Sequence, residues 1–91
     1  PTVIKEAFYL KIPVIATSVG GIPELVTNNE TGLLTEPENS QSLLKKINEL
    51  LIDSQLQQKL SSNAYDFVVS NFTWKKILPI YIEFYKKLLN D

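Results

Sequence analysis

The 91-residue sequence contains no cysteine, no histidine and no methionine. Without cysteine there is no disulfide framework and no thiolate metal site. Without histidine, the commonest general base and the commonest metal ligand are both missing. A starting methionine removed ahead of Pro1 accounts for the third absence as well as truncation does. Charge of one sign is also lacking: nine Lys and Arg against ten Asp and Glu give a formal net charge of -1, which offers no electrostatic reason to expect nucleic acid or an acidic membrane as partner. No apolar run approaches the roughly 18 residues of a spanning helix, and no signal-peptide pattern opens the chain. These absences describe a soluble chain of a reducing compartment, read as cytoplasmic.

What is present is ordinary globular composition, 44% hydrophobic and 21% charged. A chain this short forms at most one domain and buries roughly 60–65% of its unfolded surface. Ile4, Ala7 and Phe8 recur at helical spacing, so residues 2–10 read as a short helix with Thr2 as its cap. Pro13 ends it by disfavouring helical geometry at Ile12. Residues 14–17, Val-Ile-Ala-Thr, are the apolar, β-branched run of a strand buried on both faces. A turn over 18–21 carries Gly20 and Gly21, with positive φ expected at Gly21. A brief helix over 22–26, a turn over 28–32 and a strand over 32–34 follow.

Beyond residue 37 the pattern is helical. Asn39 or Ser40 caps a helix with Leu43, Leu44, Ile47, Leu50 and Leu51 on its apolar face. Asp53 or Ser54 caps a second, striped by Leu56, Leu60, Ala64, Phe67 and Val68. Thr73 caps a third, with Trp74, Ile77, Tyr81, Phe84 and Leu88 in line and Pro79 expected to kink it. That last stripe is too rich for a helix packed only on two short strands, so part of it should be exposed and favour self-association. Two strands also leave a parallel sheet under-covered, which marks the chain as a piece of a larger protein.

Three places carry candidate chemistry. Glu6, one turn into the first helix, is placed to accept two hydrogen bonds from a vicinal diol such as a ribose, and the helix's amino end offers free N–H groups to phosphate; a solvated helix acid is the alternative. Gly20-Gly21 follows a strand at the sheet edge where ligands bind in open α/β folds. It lacks the dinucleotide fingerprint, so no NAD site follows, and a plain turn is the alternative. The aromatic and basic tail, Trp74-Lys75-Lys76 through Tyr85-Lys86-Lys87, reads as a packing helix with solvated lysines rather than a membrane or single-strand surface. The two glycosylation patterns, at Asn29 and Asn71, are chance matches in a chain without a secretory signal.

Taken together, Glu6-Ala7, Pro13 to Thr17, Gly20-Gly21-Ile22-Pro23-Glu24 and Thr31-Gly32-Leu33-Leu34 resemble, in order and spacing, the carboxy-terminal domain of the group 1 retaining nucleotide-sugar glycosyltransferases of the GT-B fold. Leu43, Asn63-Ala64 and Phe72-Thr73-Trp74 resemble the helical tail of that domain. The resemblance implies an α/β fold: a partial, Rossmann-like parallel sheet, half of a GT-B carboxy-terminal domain, followed by a helical tail. Residues 1–37 would form the donor-site segment and 38–91 the tail. It implies transfer of a sugar from a nucleoside diphosphate sugar to an acceptor, with retention, and without cofactor or metal. Glu6 matches the family's ribose-binding glutamate, Thr2 and Val3 match positions whose backbone amides approach the diphosphate or ribose, and Gly20 and Gly21 match the loop bordering the donor cleft. The family's sugar-contacting glutamate, its basic diphosphate-binding residues and its acceptor domain fall upstream of Pro1. No catalytic residue is therefore assigned, the chain alone is expected to be inactive, and any peripheral membrane association is left to that other domain. Pro1 departs from the glycine common there. A non-catalytic nucleotide-binding or docking remnant, or a GT-B epimerase or phosphorylase, are the competing readings.

Overall fold

The computed structural model describes the backbone of residues 2–71 and 74–90, and their side chains except at Thr2, Trp74, Lys75, Lys76, Ile77 and Ile80. The elements run α1 (Thr2–Tyr9), β1 (Ile15–Thr17), α2 (Ile22–Leu25), β2 (Leu33–Thr35), α3 (Ser40–Ile52), α4 (Ser54–Asn71) and α5 (Trp74–Asn90). The expected order holds, with boundaries moved by a residue or two. The Thr73 cap and the Trp74 and Ile77 positions of the last stripe lie outside the described residues and side chains.

α1 stops at Tyr9 because the chain turns left-handed at Lys11, φ 58. Ile12 N–H donates to Ala7 C=O at 2.9 Å and Lys11 N–H to Phe8 C=O at 3.2 Å. This is the paired helix-ending arrangement usually built around glycine. The Lys11 ammonium then lies 4.7 Å from the Tyr65 ring centroid, a cation–π contact tying the end of α1 to α4.

β1 and β2 pair in parallel, Ile15 with Leu33, Ala16 with Leu34 and Thr17 with Thr35. Side chains alternate across this small sheet. On one face Val14, Ala16 and Leu34 meet a cluster of Ile4, Phe8, Val26, Ala64 and Val68. On the other, Leu33 is buried with Leu50 and Leu60, and Ile15 packs alongside. α1 covers the first face and α3 the second, while α4 gives Leu60 to one cluster and Ala64 and Val68 to the other. Both faces are thus covered by the chain itself. The outer edge of β2 is covered too: Leu34 N–H donates to Asn28 Oδ1 at 3.0 Å, and Asn28 bridges Gly32.

The caps of the next two helices resolve to Asn39, whose Oδ1 accepts from Ser42 N–H at 2.9 Å, and Asp53, whose Oδ1 accepts from Leu56 N–H at 2.9 Å. The α4 stripe packs as expected. That of α3 does not: Leu50 is buried and Ile47 half-buried, but Leu43, Leu44 and Leu51 are 42%, 60% and 70% exposed. Two short strands give α3 too little to lie on. α5 continues through Pro79 as one helix and packs on α1, where the Tyr81 and Tyr9 rings meet edge to face at 5.4 Å. Leu78, Ile82, Leu88 and Leu89 stay exposed. The accessible surface, 6206 Å², exceeds the about 5,400 Å² of a compact protein of this mass.

Candidate functional site

α1 returns through residues 10–14 to the start of β1, so its amino end stands over the carboxyl end of the strands, beside the turn that follows β1. By this topology the start of α1 and the Gly20-Gly21 turn both fall at the carboxyl end of the strands, while Glu6 faces α4 and α5. The carboxyl end is where the crevice of an open α/β sheet forms.

Glu6 is the informative member. It is 4% exposed, which excludes a solvated surface acid, and its Oε1 is buried without a hydrogen-bond partner. A buried carboxylate oxygen left unpaired costs on the order of 1–3 kcal/mol or more, so such groups call for a partner from outside the chain. The hollow beside it, walled by Lys5, Tyr9, Leu10, Val68, Tyr81 and Phe84, holds about 10 Å³. That is the space of one water molecule, too small for a ribose. Val3 is exposed. The backbone of Thr2 opens α1, and its side chain lies outside the described set.

The turn after β1 is held by Ser18 N–H donating to Thr35 C=O at 2.8 Å and Val19 N–H to Thr17 C=O at 2.9 Å. Positive φ falls at Gly20, φ 53. Gly21 has φ -82 and caps the amino end of α2, which corrects the expectation for that residue. The chain needs its one left-handed step before α2 begins; Gly21 already has the helical conformation that any residue adopts. A Cβ at either glycine would meet nothing within 4 Å, so the edge is open there.

Thr17 and Thr35 close the two strands side by side. Gly32, read as the junction of the turn and the strand, is buried against Val14 and Val26. Among the described residues, no cluster of acids is placed to hold a metal, and no helix is long and apolar enough to cross a membrane.

Residues 1–67 match the family described as Glycosyl transferases group 1. The chain is 33% identical over 89 residues to the N-acetyl-alpha-D-glucosaminyl L-malate synthase of Bacillus anthracis, covering 98% of this chain and 23% of that protein. Among solved structures it is similar to Anabaena HepE in complex with UDP-glucose (TM-score 0.74, 32% identity, 98% of this chain and 24% of that one). It is also similar to the carboxy-terminal domain of a Francisella tularensis group 1 family protein, LpcC (TM-score 0.67, 40% identity, 74% of this chain and 34% of that one). The chain spans about a quarter of the length of the full-length relatives it matches. With the two-stranded parallel sheet and the helices matching solved members of the family, the chain belongs to the group 1 glycosyl transferases, in the carboxy-terminal domain of their GT-B fold.

Proposed function

We propose that this chain forms the nucleotide side of the donor cleft in a retaining glycosyltransferase, which moves a sugar from a nucleoside diphosphate sugar to an acceptor. The observation that carries the proposal is the buried, unpartnered Oε1 of Glu6 near the amino end of α1. A ribose diol would supply the donors this oxygen lacks, by an approach other than the one-water hollow toward α5. The first-turn amides of α1, at Thr2 and Val3, have no partners within the helix, and in this reading a diphosphate accepts from them. Gly20 and Gly21, with open space around them, would border the cleft without side chains. HepE, with its UDP-glucose complex, supports a nucleotide-linked sugar as the donor.

In this reading residues 1–37 are the donor segment and 38–91 the tail, and the acceptor half belongs to the part of the relatives that this chain does not span. The departing diphosphate is stabilised electrostatically by backbone amides and by cations from that other part. No cofactor or metal takes part, the setting is cytoplasmic, and any membrane contact is made by the other domain. The 91 residues alone transfer no sugar; repeated turnovers by the purified chain with a common donor would overturn that part. Nothing in the fold favours the docking-remnant, epimerase or phosphorylase readings.

The test compares UDP with its 2′,3′-dideoxy analogue by calorimetry on the complete enzyme. A charged hydrogen bond contributes about 1.5–3 kcal/mol, so the wild type should prefer UDP about ten- to a hundredfold, and Glu6→Gln should lose that preference. Equal weakening of both ligands by Glu6→Gln would make Glu6 a purely structural residue.

A further inference from the structure

Glu6 stands where three helices meet. Its own α1 gives Lys5, Tyr9 and Leu10 to the one-water hollow beside it, α4 gives Val68, and α5 gives Tyr81 and Phe84. α5 is therefore part of what takes this carboxylate out of water, although it joins the rest of the chain mainly along α1. The seam is aromatic. Tyr9 and Tyr81 meet edge to face at 5.4 Å, and Tyr81 and Tyr85 at 4.7 Å with their hydroxyls 2.9 Å apart. α5 thus covers Glu6 without giving it a hydrogen bond, and Oε1 stays buried and unpartnered.

That combination links two events. With α5 in place, Glu6 lies in surroundings of low dielectric, where a hydrogen bond from a ligand is strong and a missing one is costly. With α5 away, water solvates the carboxylate from that side and competes with the ligand. A ligand that donates to Glu6 therefore removes the cost of seating α5 over it, and a seated α5 strengthens the ligand's bond; by linkage each favours the other to the same degree. We propose that Phe84 is a positioning residue for the nucleotide site, acting through Glu6 so that the seating of α5 and the binding of a ribose diol reinforce each other. The proposal rests on the nucleotide reading of Glu6. Phe84 is half-buried and has no polar atom. Truncating it opens the hollow to water while leaving the contact of Tyr81 with Tyr9 that holds α5 against α1.

The test uses the complete enzyme, with UDP and its 2′,3′-dideoxy analogue titrated by calorimetry. Phe84→Ala should reduce the wild-type preference for UDP about fivefold or more and leave the affinity for the dideoxy analogue unchanged. Phe84→Leu, which keeps an apolar side chain over the hollow, should retain the preference. A second arm needs no variant: UDP should slow tryptic cleavage of α5 at Lys86 and Lys87 about fivefold, and the dideoxy analogue at saturation should not. A Phe84→Ala enzyme that fails to fold leaves the decision to this arm. Equal weakening of both ligands by Phe84→Ala would make Phe84 a purely structural residue and overturn the proposal. So would cleavage that UDP does not slow. A diol preference that survives Phe84→Ala overturns this proposal alone, whereas a wild type with no diol preference overturns the nucleotide reading and this proposal with it.

Discussion

Replacing Gly32 by alanine tests how closely the strand pair is built. A Cβ there would sit 2.8 Å from Val26 Cγ1 and 2.9 Å from Val14 O. Neither neighbour can give way cheaply. Val26 is fully buried, and Val14 O is the acceptor for Leu33 N–H at 2.9 Å, the first bond of the parallel pairing. Overpacking of this kind costs about 1–3 kcal/mol, and weakening the bond adds about 0.5–1.5 kcal/mol. Alanine's reduced freedom in the unfolded chain returns about 0.4–1 kcal/mol. The net expectation is a loss of about 2 kcal/mol, a fall in Tm of about 8–16 °C for a domain of this size. Urea and thermal melts followed by circular dichroism measure it, with Gly21→Ala as control. At Gly21 the space is empty and φ is ordinary, so that change should stay within about 0.5 kcal/mol. Adding Val26→Ala to Gly32→Ala removes one clash and leaves the other, so the pair should cost less than the sum of the singles by about 1 kcal/mol. If Gly32→Ala melts with the wild type, the close approach of the two strands described above is wrong.

Lys11→Gly relieves the left-handed backbone at φ 58 but gives up the cation–π contact, so its stability should match the wild type within about 0.5 kcal/mol, while Lys11→Ala should lose about 0.5–1 kcal/mol in urea melts. Tyr81 ionises above the ordinary tyrosine range, first because its hydroxyl donates to Tyr85, then through burial and through charge repulsion from Tyr85 and Tyr9. Its neutral form is the one favoured by folding, so the contribution is complete below about pH 10 and is lost as pH rises through the raised value. Near-ultraviolet titration of tyrosinate should show the late-titrating group move toward the ordinary value in Tyr85→Phe; an unchanged curve would refute the hydrogen bond as its cause. Exposed Ile82 and Leu89 on α5 should drive association, so Ile82→Glu with Leu89→Glu should shift sedimentation toward monomer, and a wild-type chain that is already a clean monomer at high concentration would refute it.

The order of elements was legible because local rules and burial agree there. The apolar run at 14–17 forms the expected strand, although its residues are half-buried rather than buried on both faces because only two strands make the sheet, and Asn39 and Asp53 cap with their own side chains. Legibility failed where the cause lies in another part of the chain. Leu43, Leu44 and Leu51 have the spacing of a buried face, but periodicity does not count how much sheet exists to cover them. Lys11 gave no helix-stop signal, since glycine is the usual left-handed residue and the Tyr65 contact that accompanies the lysine comes from α4. At the site, the type of Glu6 and its place near a helix start were readable, whereas its burial was not, because the residues beside it, Val68, Tyr81 and Phe84, lie far along the sequence.

Because α4 contributes to the clusters on both faces of the sheet, neither face can open without disturbing the other. The sheet, α1, α3 and α4 should therefore behave as one cooperative unit, with amides at Leu33, Leu60 and Val68 exchanging with solvent only through complete unfolding. α5 is outside that arrangement, joined mainly through its contact with α1. It can detach while the rest stays folded, and its amides should exchange through that smaller event. The 91 residues thus hold two levels of stability, with the boundary between them at the seam where Tyr81 meets Tyr9.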